Sequence, residues 1–398
     1  MPRFSIVIPS RNRADLALSA LQSVLEQDFR DFEVIVSDNS DEDESKALFR
    51  ALQPFSADPR FRYIKPQRPL PMTAHWEWAV AHATGEYVGI LTDRMILRLY
   101  TLSTVDAVIA HGSPKLVAYE RTNLIETGTS FAVPQKGSGA APLVTIRKTA
   151  PIIEAFSRSD FSPMDTPRFL NSFVSAAFLD QIRSEYGSVF TGVAPDYGFL
   201  MRVLDQVDEF PFIETPLLIK HSEDRSNGKS FTHYNLDKAG NDFIAFSRSE
   251  QGEFLKFSPV PDDLVMITNV MMREYEIGRH NQRRGHFPNF EKQAFYNESM
   301  RHLIVLKREG KDVALLLDRM EKYRAENGLS PYRLSSRERR KHIRAKIHRV
   351  LGLSPRKGKP KVDGPTFPTI IDALRIEAQE RRNRLVLLNE ELVSFGQG

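Results

Sequence analysis

The chain contains no cysteine, which excludes disulfide bonds, a thiolate nucleophile and a cysteine-ligated metal. It also lacks an apolar run of the roughly 18 residues that a membrane-spanning helix needs. Its N-terminus enters a strand pattern at once, without the basic and apolar regions of a signal peptide. We therefore expect a cytoplasmic protein, or one that is peripheral on the inner face of a membrane, and we expect no redox cofactor.

Acidic residues are almost absent from 333–361, where twelve Lys and Arg face the single acid Glu338. Ile343, Ile347, Val350 and Leu351 fall on one helical face of this segment, among the cations. Such a basic amphipathic helix can lie on an anionic membrane surface, or it can dock on the rest of the protein or on a second subunit. Aromatic residues for base stacking are scarce in the segment, so nucleic acid is not the expected partner.

Apolar patterning divides the chain into three parts. The first part is a domain at 1–235, in which strand and helix patterns alternate up to about residue 112 and short strand patterns follow from 113 to 148. Helices are then predicted at about 149–158, 168–185 and 195–206. This alternation predicts an α/β fold with a Rossmann-like, mainly parallel sheet flanked by helices. A helical extension is predicted for 236–332, and 333–398 is read as the basic helix, a Pro/Gly/Lys linker and a terminal helix at about 369–393.

Three predicted strands end abruptly in polar residues. The first runs into Ser10 and Arg11, the second into Asp38 and Asn39, and the third into Asp93. Parallel strands place such ends together in a crevice, where cations and N–H groups suit the phosphates of a nucleotide diphosphate and a carboxylate suits its base or ribose. The candidate donor-binding residues on these ends and nearby are Pro9, Ser10, Arg11, Arg13, Asp38, Asn39, Arg68, Asp93 and Arg94. Alternatively, Asp38 starts an Asx turn and the arginines are surface charges.

The order of these strand ends, with Ala83-Thr84-Gly85-Glu86-Tyr87 before the third, resembles a family 2 glycosyltransferase of the GT-A fold. The resemblance covers roughly residues 3–235. It implies an inverting enzyme that moves a sugar from a nucleotide diphosphate sugar to a hydroxyl of a glycan or lipid-linked saccharide, in surface polysaccharide synthesis.

The acidic turn departs from that family, because Thr92-Asp93-Arg94 replaces an Asp-rich turn. One hypothesis is that Asp93 and His221 hold a divalent metal, Mg²⁺ or Mn²⁺. The other is that Arg94 supplies the positive charge in the place of a metal. Instead of a metal ligand, His221 can also be a structural histidine at a strand end.

The resemblance implies a catalytic base at the start of a helix about a hundred residues after the acidic turn, and Asp196 stands there. An acid that is merely favoured by the helix dipole is the alternative. Arg225 and Lys229, in a polar loop after His221, are candidates for a lid over the donor phosphates, or they lie in a solvated loop.

Two other classes of protein fit parts of the pattern. A nucleotidyltransferase would usually carry a glycine-rich loop after the first strand, but residues 9–15 contain no glycine. A catalytically degenerate nucleotide-sugar-binding or scaffold protein would explain the loss of acids from the turn.

Overall fold

The computed structural model describes residues 1–126, 131–132, 143–162, 166–221, 257–261, 266–334 and 366–395. The strands are β1 (Phe4–Ser10), β2 (Phe32–Asp38), β3 (Phe61–Ile64), β4 (Tyr87–Ile90), β5 (Met95–Leu97), β6 (Leu116–Asn123), β7 (Ile125–Glu126), β8 (Phe131–Ala132), β9 (Val144–Lys148), β10 (Ser172–Ser175) and β11 (Glu209–Lys220). The helices are α1 (Ala14–Leu25), α2 (Glu42–Leu52), α3 (Met72–Val80), α4 (Thr101–Ala110), α5 (Ala150–Ser157), α6 (Ala176–Tyr186), α7 (Pro195–Gln206), α8 (Ile267–Asn281), α9 (Lys292–Arg308), α10 (Ala314–Glu326) and α11 (Ile370–Phe395). A short 3₁₀ turn follows α2 at Gln53–Phe55.

Nine of these strands form one sheet, in the order β3-β2-β1-β4-β10-β6-β11-β5, with β9 paired to β11. The pairs among β3, β2, β1 and β4 are parallel, whereas β10 is antiparallel to both of its neighbours. Beyond β10, β6 and β11 are parallel, and β5 and β9 run antiparallel to β11. The predicted α/β class is confirmed, and parallel pairing dominates only the half of the sheet that begins the chain.

Both faces of the first strands are buried. On β1, Val7 packs into the core cluster that contains α3, α7 and α8, while Phe4, Ile6 and Ile8 pack against α1 and its neighbours. Successive side chains of a strand point to opposite faces, so a strand that is covered on both sides reads as a continuous apolar run. Burial on both faces explains the nearly continuous apolar run Phe4-Ser5-Ile6-Val7-Ile8 of β1.

The predicted helix at 168–185 is wrong at its start, because Ser172–Ser175 forms strand β10. The helix begins only at Ala176, where the hydroxyl of Ser175 accepts a hydrogen bond from the backbone N–H of Phe178 at 3.3 Å. A serine N-cap of this kind starts a helix by satisfying one of its free N–H groups. The four strand residues are held by pairing with β4 and β6, a tertiary contact that the local pattern does not contain.

The helical extension shares a core with the sheet. Met272 and Tyr275 of α8 are buried in the same apolar cluster as Phe199 and Leu200 of α7. The predicted boundary at 235/236 and most of the basic segment 333–361 lie outside the described residues. The terminal helix occurs close to its predicted place, and its Ile370, Ile371 and Leu374 pack in a small cluster with residues of β5 and β11.

Candidate active site

The ends of β1, β2 and β4 meet at one edge of the sheet. The backbone N–H of Asn39 donates to the carbonyl of Ser10 at 2.9 Å. The hydroxyl of Ser10 donates to Oδ2 of Asp93 at 3.2 Å. Pro9, one residue earlier, is buried and lies opposite Ser37 in the parallel register. The three strand ends that the sequence predicted to converge therefore do so.

The polar loops after β1 and β2 are tied to each other. Asn12 has a positive φ of 56°, a left-handed conformation that asparagine tolerates better than most residues. Its backbone N–H donates to the hydroxyl of Ser40 at 2.9 Å, and its side-chain amide exchanges two hydrogen bonds with Asp41. Arg11 directly follows the end of β1, and its guanidinium lies 3.7 Å from the carboxylate of Asp41.

Asp38 is fully buried, and protein groups already occupy its carboxylate. Its Oδ1 accepts from the backbone N–H of Ser40 at 2.9 Å, and its Oδ2 accepts from the hydroxyls of Ser45 and Tyr63 at 2.5 and 2.6 Å. Burial raises the pKa of Asp38, but these hydrogen bonds outweigh it and hold the pKa below the ordinary value. The bond to Ser40 is the Asx turn that was the alternative reading, and a nucleotide-binding role for Asp38 stays a prediction.

Beside Asp38, the side-chain amide of Asn39 clamps the backbone of the loop before α3. Its Nδ2 donates to the carbonyl of Leu70 at 2.7 Å, and its Oδ1 accepts from the N–H of Leu70 at 2.8 Å. Behind this clamp, Nε2 of His75 lies 2.7 Å from the hydroxyl of Ser37. Burial lowers the pKa of His75 to about 4, so this imidazole is neutral at neutral pH.

The acidic turn holds one buried carboxylate among cations. Oδ1 of Asp93 lies 3.5 Å from Nη1 of Arg13. Burial raises the pKa of Asp93, while the charges of Arg13 and Arg94 act to lower it. The backbone N–H of His221, at the end of β11, donates to the carbonyl of Arg94 at 3.0 Å, which brings His221 beside the turn.

This set of residues does not fit a divalent cation. Mg²⁺ and Mn²⁺ prefer several oxygen ligands, but the one carboxylate of the turn already faces the Ser10 hydroxyl and the Arg13 guanidinium. A cation there would also be repelled by Arg13 and Arg94. Among the described residues, no group of three or more His, Asp or Glu side chains is arranged to hold a metal.

Asp196 lies in the first turn of α7, directly after Pro195. Burial raises the pKa of its carboxyl, and the guanidinium of Arg168, 3.8 Å away, opposes this effect. The same guanidinium donates to the hydroxyl of Tyr197 at 2.8 Å. The geometry thus provides a largely enclosed carboxylate beside the cationic Arg168, at the positive end of a helix.

The loop before α7 is connected to the strand ends through α3. The hydroxyl of Thr73, in the first turn of α3, donates to the carbonyl of Gly192 at 2.7 Å. Thr73 follows the Leu70 backbone that Asn39 clamps, so the Asp196 loop and the end of β2 are joined by one short path.

Arg68, another candidate, is exposed in the loop between β3 and α3. Arg225 and Lys229 lie outside the described residues. Conversely, sequence reasoning missed His75, Arg168 and Glu274. Their roles depend on contacts with residues distant in the chain, which the local sequence does not show.

Comparison with known proteins gives a match over the three strand ends. Residues 5–93 match the model described as glycosyl transferase family 2. A GalNAc(5)-diNAcBac-PP-undecaprenol beta-1,3-glucosyltransferase of Campylobacter jejuni subsp. jejuni serotype O:2 is 34% identical over 106 residues. That match covers 26% of this chain and 34% of the relative, so the chain aligns with about a third of the length of that protein.

Solved structures of S. aureus TarS are similar at a low level. TarS 1-349 in complex with UDP-GlcNAc has a TM-score of 0.46 and 13% identity, covering 84% of this chain and 94% of that one. A longer TarS structure has a TM-score of 0.42 and 13% identity, covering 82% of this chain and 54% of that one. Residues 5–93, which hold all three strand ends, match the glycosyl transferase family 2 model, and the predicted resemblance to that family is confirmed over this segment.

Proposed function

We propose that this protein transfers a sugar from a nucleotide diphosphate donor to a hydroxyl of a glycan or lipid-linked saccharide, with inversion at the anomeric carbon. The observation that carries the proposal is the convergence of the ends of β1, β2 and β4, through the contacts of Ser10 with Asn39 and Asp93. The family match over residues 5–93 supports it. The Campylobacter jejuni relative, whose name describes transfer to a PP-undecaprenol-linked saccharide, supports a lipid-linked acceptor.

In this proposal Asp196 is the general base. Its carboxylate accepts the proton of the acceptor hydroxyl while that oxygen bonds to the anomeric carbon, on the face opposite the diphosphate. The bond between the anomeric carbon and the phosphate oxygen breaks, and its electron pair leaves with the nucleotide diphosphate. The raised pKa of Asp196, which is due to burial, makes it a better proton acceptor than an exposed aspartate.

We further propose that arginines stabilise the departing diphosphate. Arg13 and Arg94 both act electrostatically on Asp93, so two positive charges lie at the point where the phosphates would be released. Guanidinium groups form strong, charge-assisted hydrogen bonds with phosphate oxygens. This favours the arginine hypothesis over a metal held by Asp93 and His221, because the turn does not suit a divalent cation.

A membrane-bound acceptor would require the enzyme to reach a lipid surface. No helix in the described part of the chain is both long and apolar enough to cross a membrane. We propose instead that the basic segment 333–361 holds the protein peripherally on the anionic inner face of a membrane, through its net charge of +11. Flotation with liposomes tests this, because binding should require anionic lipid and weaken with salt.

The transferase proposal is tested by incubating the purified protein with a panel of UDP- and GDP-sugars, with and without lipid-linked saccharide acceptors, and measuring release of the nucleotide diphosphate. We expect turnover with at least one donor, increased by an acceptor, and retained in EDTA. Complete absence of turnover, together with nucleotide binding in a thermal-shift assay, would favour the second candidate, a degenerate binding protein. The loss of acids from the 92–94 turn is the observation behind that candidate.

A further inference from the structure

Glu274 of α8 is a buried acid that reaches the loop carrying Asp196. Its Oε1 accepts hydrogen bonds from the backbone N–H groups of Val193 and Ala194, at 2.9 and 3.3 Å. Both residues directly precede the first turn of α7. Glu274 lies far along the chain, in the helical extension, and its side chain is fully buried.

The backbone of the loop is shaped to receive this carboxylate. Gly192 has a φ of +73°, a backbone conformation that residues other than glycine rarely adopt. A Cβ atom at Gly192 would lie only 1.8 Å from Oε2 of Glu274, so the carboxylate occupies the space that a side chain would need. Glycine at this position therefore permits both the turn and the close approach of the acid.

The loop is held from two sides. Thr73 of α3 donates to the carbonyl of Gly192 at 2.7 Å, while Glu274 of α8 accepts from the next two N–H groups. One contact comes from the helix that follows the Asn39 clamp, and the other comes from the extension. The start of α7 thus lies between a part of the nucleotide-site region and a helix outside the predicted catalytic domain.

We propose that Glu274 is a positioning residue for Asp196, which fixes the start of α7 so that the Asp196 carboxylate meets the acceptor hydroxyl. The inference rests on the proposed transferase function and adds to it that α8 completes the active site. An error of about 1 Å in the placement of a catalytic group can cost on the order of 100-fold in rate, so the effect should appear in the chemical step.

Charged groups around Glu274 give this role a pH signature. Arg273 on the same helix places Nη1 3.1 Å from Oε1 of Glu274, and Arg202 and Asp196 of α7 act on it electrostatically. Burial raises the pKa of Glu274 to about 7, and the negative charge of Asp196 contributes in the same direction. When Glu274 ionises, it accepts the two N–H groups more strongly and makes Asp196 more basic. Transfer should therefore rise across neutral pH.

The test compares Glu274→Gln, Glu274→Ala and Glu276→Gln in the full chain, with the best donor and acceptor from the panel. The amide oxygen of Gln can still accept from the loop but carries no charge, whereas Ala removes both. Glu276 is a matched control, because it is a mostly buried acid on the same helix that bonds to Arg279 at 2.8 and 2.9 Å instead of to the loop.

We expect Glu274→Gln to lose the pH-dependent rise near 7 while keeping most of kcat at low pH. Glu274→Ala should lose on the order of 100-fold in kcat with little change in the KM for the donor. Glu276→Gln should keep both kcat and the pH profile. A Glu274→Gln enzyme with the unaltered wild-type pH profile and kcat would overturn the inference, even if Glu274→Ala did not fold.

Failure of the inference is distinguishable from failure of the proposed function. If the wild type turns over a donor but both Glu274 variants match it, the positioning role is wrong and the transferase remains. If the wild type turns over no donor, the proposed function is wrong. The positioning role then loses its structural basis as well if Glu274→Ala binds nucleotide diphosphate with wild-type affinity and hydrogen exchange shows unchanged protection of the loop before α7.

Discussion

Arg98 and Glu377 form an ion pair inside the protein, with side chains that are 1% and 9% exposed. Arg98 follows β5, close behind the Asp93 turn, whereas Glu377 lies on α11 at the other end of the chain. The Nε of Arg98 also donates to the carbonyl of Pro216 in β11 at 2.5 Å. Through Arg98, the terminal helix is therefore joined to β5 and β11, the strands next to the acidic turn and His221.

Replacement of Glu377 by alanine should destabilise the fold strongly, because it leaves the Arg98 guanidinium buried without its carboxylate. Removing one partner of a buried pair typically costs about 3–5 kcal/mol. Arg375→Ala is the comparison on the same helix, since Arg375 pairs with Glu26 at the surface and such pairs contribute about 1 kcal/mol or less. Urea unfolding measures both variants, and equal losses of stability would contradict the importance of burial.

Substitution of Asp196 by asparagine should abolish transfer but leave donor binding intact. The amide keeps the size of the side chain but cannot accept the proton of the acceptor hydroxyl, so we expect kcat to fall by about 100-fold to 10,000-fold. Donor affinity is measured by calorimetry with the nucleotide diphosphate. Asp180→Asn serves as the control, because Asp180 is an exposed acid of α6 that pairs with Arg183. An active Asp196→Asn enzyme would remove Asp196 from the role of base.

The charge of Arg94 should decide whether the enzyme needs a metal. We expect the wild type to keep its activity in EDTA, since Arg13 and Arg94 supply positive charge at the turn. Arg94→Asp adds a second carboxylate beside Asp93 and should make transfer depend on added Mg²⁺ or Mn²⁺. Arg94→Ala, which removes the cation without adding a ligand, should weaken donor binding without rescue by metal. Loss of wild-type activity in EDTA would contradict the arginine hypothesis.

Burial of His75 should make the stability of the fold decrease as the pH is lowered. Burial lowers its pKa to about 4, from an ordinary value near 6.5, so folding favours the neutral imidazole. Its contribution to stability is therefore complete above pH 6.5 and is lost as the pH falls from there to about 4. In His75→Gln the loss over this range should be smaller than in the wild type, as measured by thermal unfolding from pH 4 to 7.5. The same replacement at the exposed His111 serves as the comparison. Identical pH curves for wild type and His75→Gln would refute the prediction.

The sequence predicted the first half of the sheet well for a physical reason. Strands β1, β2 and β4 are short apolar runs that end abruptly at Ser10, Asp38 and just before Asp93, and parallel strands joined by helices bring such ends to one edge. The helix α7 was predicted with its observed bounds, because Pro195 begins it and apolar periodicity continues through it.

The sequence could not predict the residues whose role depends on a distant partner. Ser172–Ser175 became a strand because β4 and β6 pair with it, although its neighbours have a helical pattern. The local sequence gives no signal for Glu274 or Glu377, but folding buries them against the Asp196 loop and Arg98.

The amino-acid sequence by itself determined the α/β class, the order of the three strand ends and the family of residues 5–93, because these follow from local apolar patterns and from residues adjacent in the chain. Only the tertiary structure decided what the polar side chains contact. It tied Asp38 into a turn, surrounded Asp93 with arginines and placed α8 behind Asp196. Burial and the approach of charges from distant segments set these environments, and both arise only when the chain has folded.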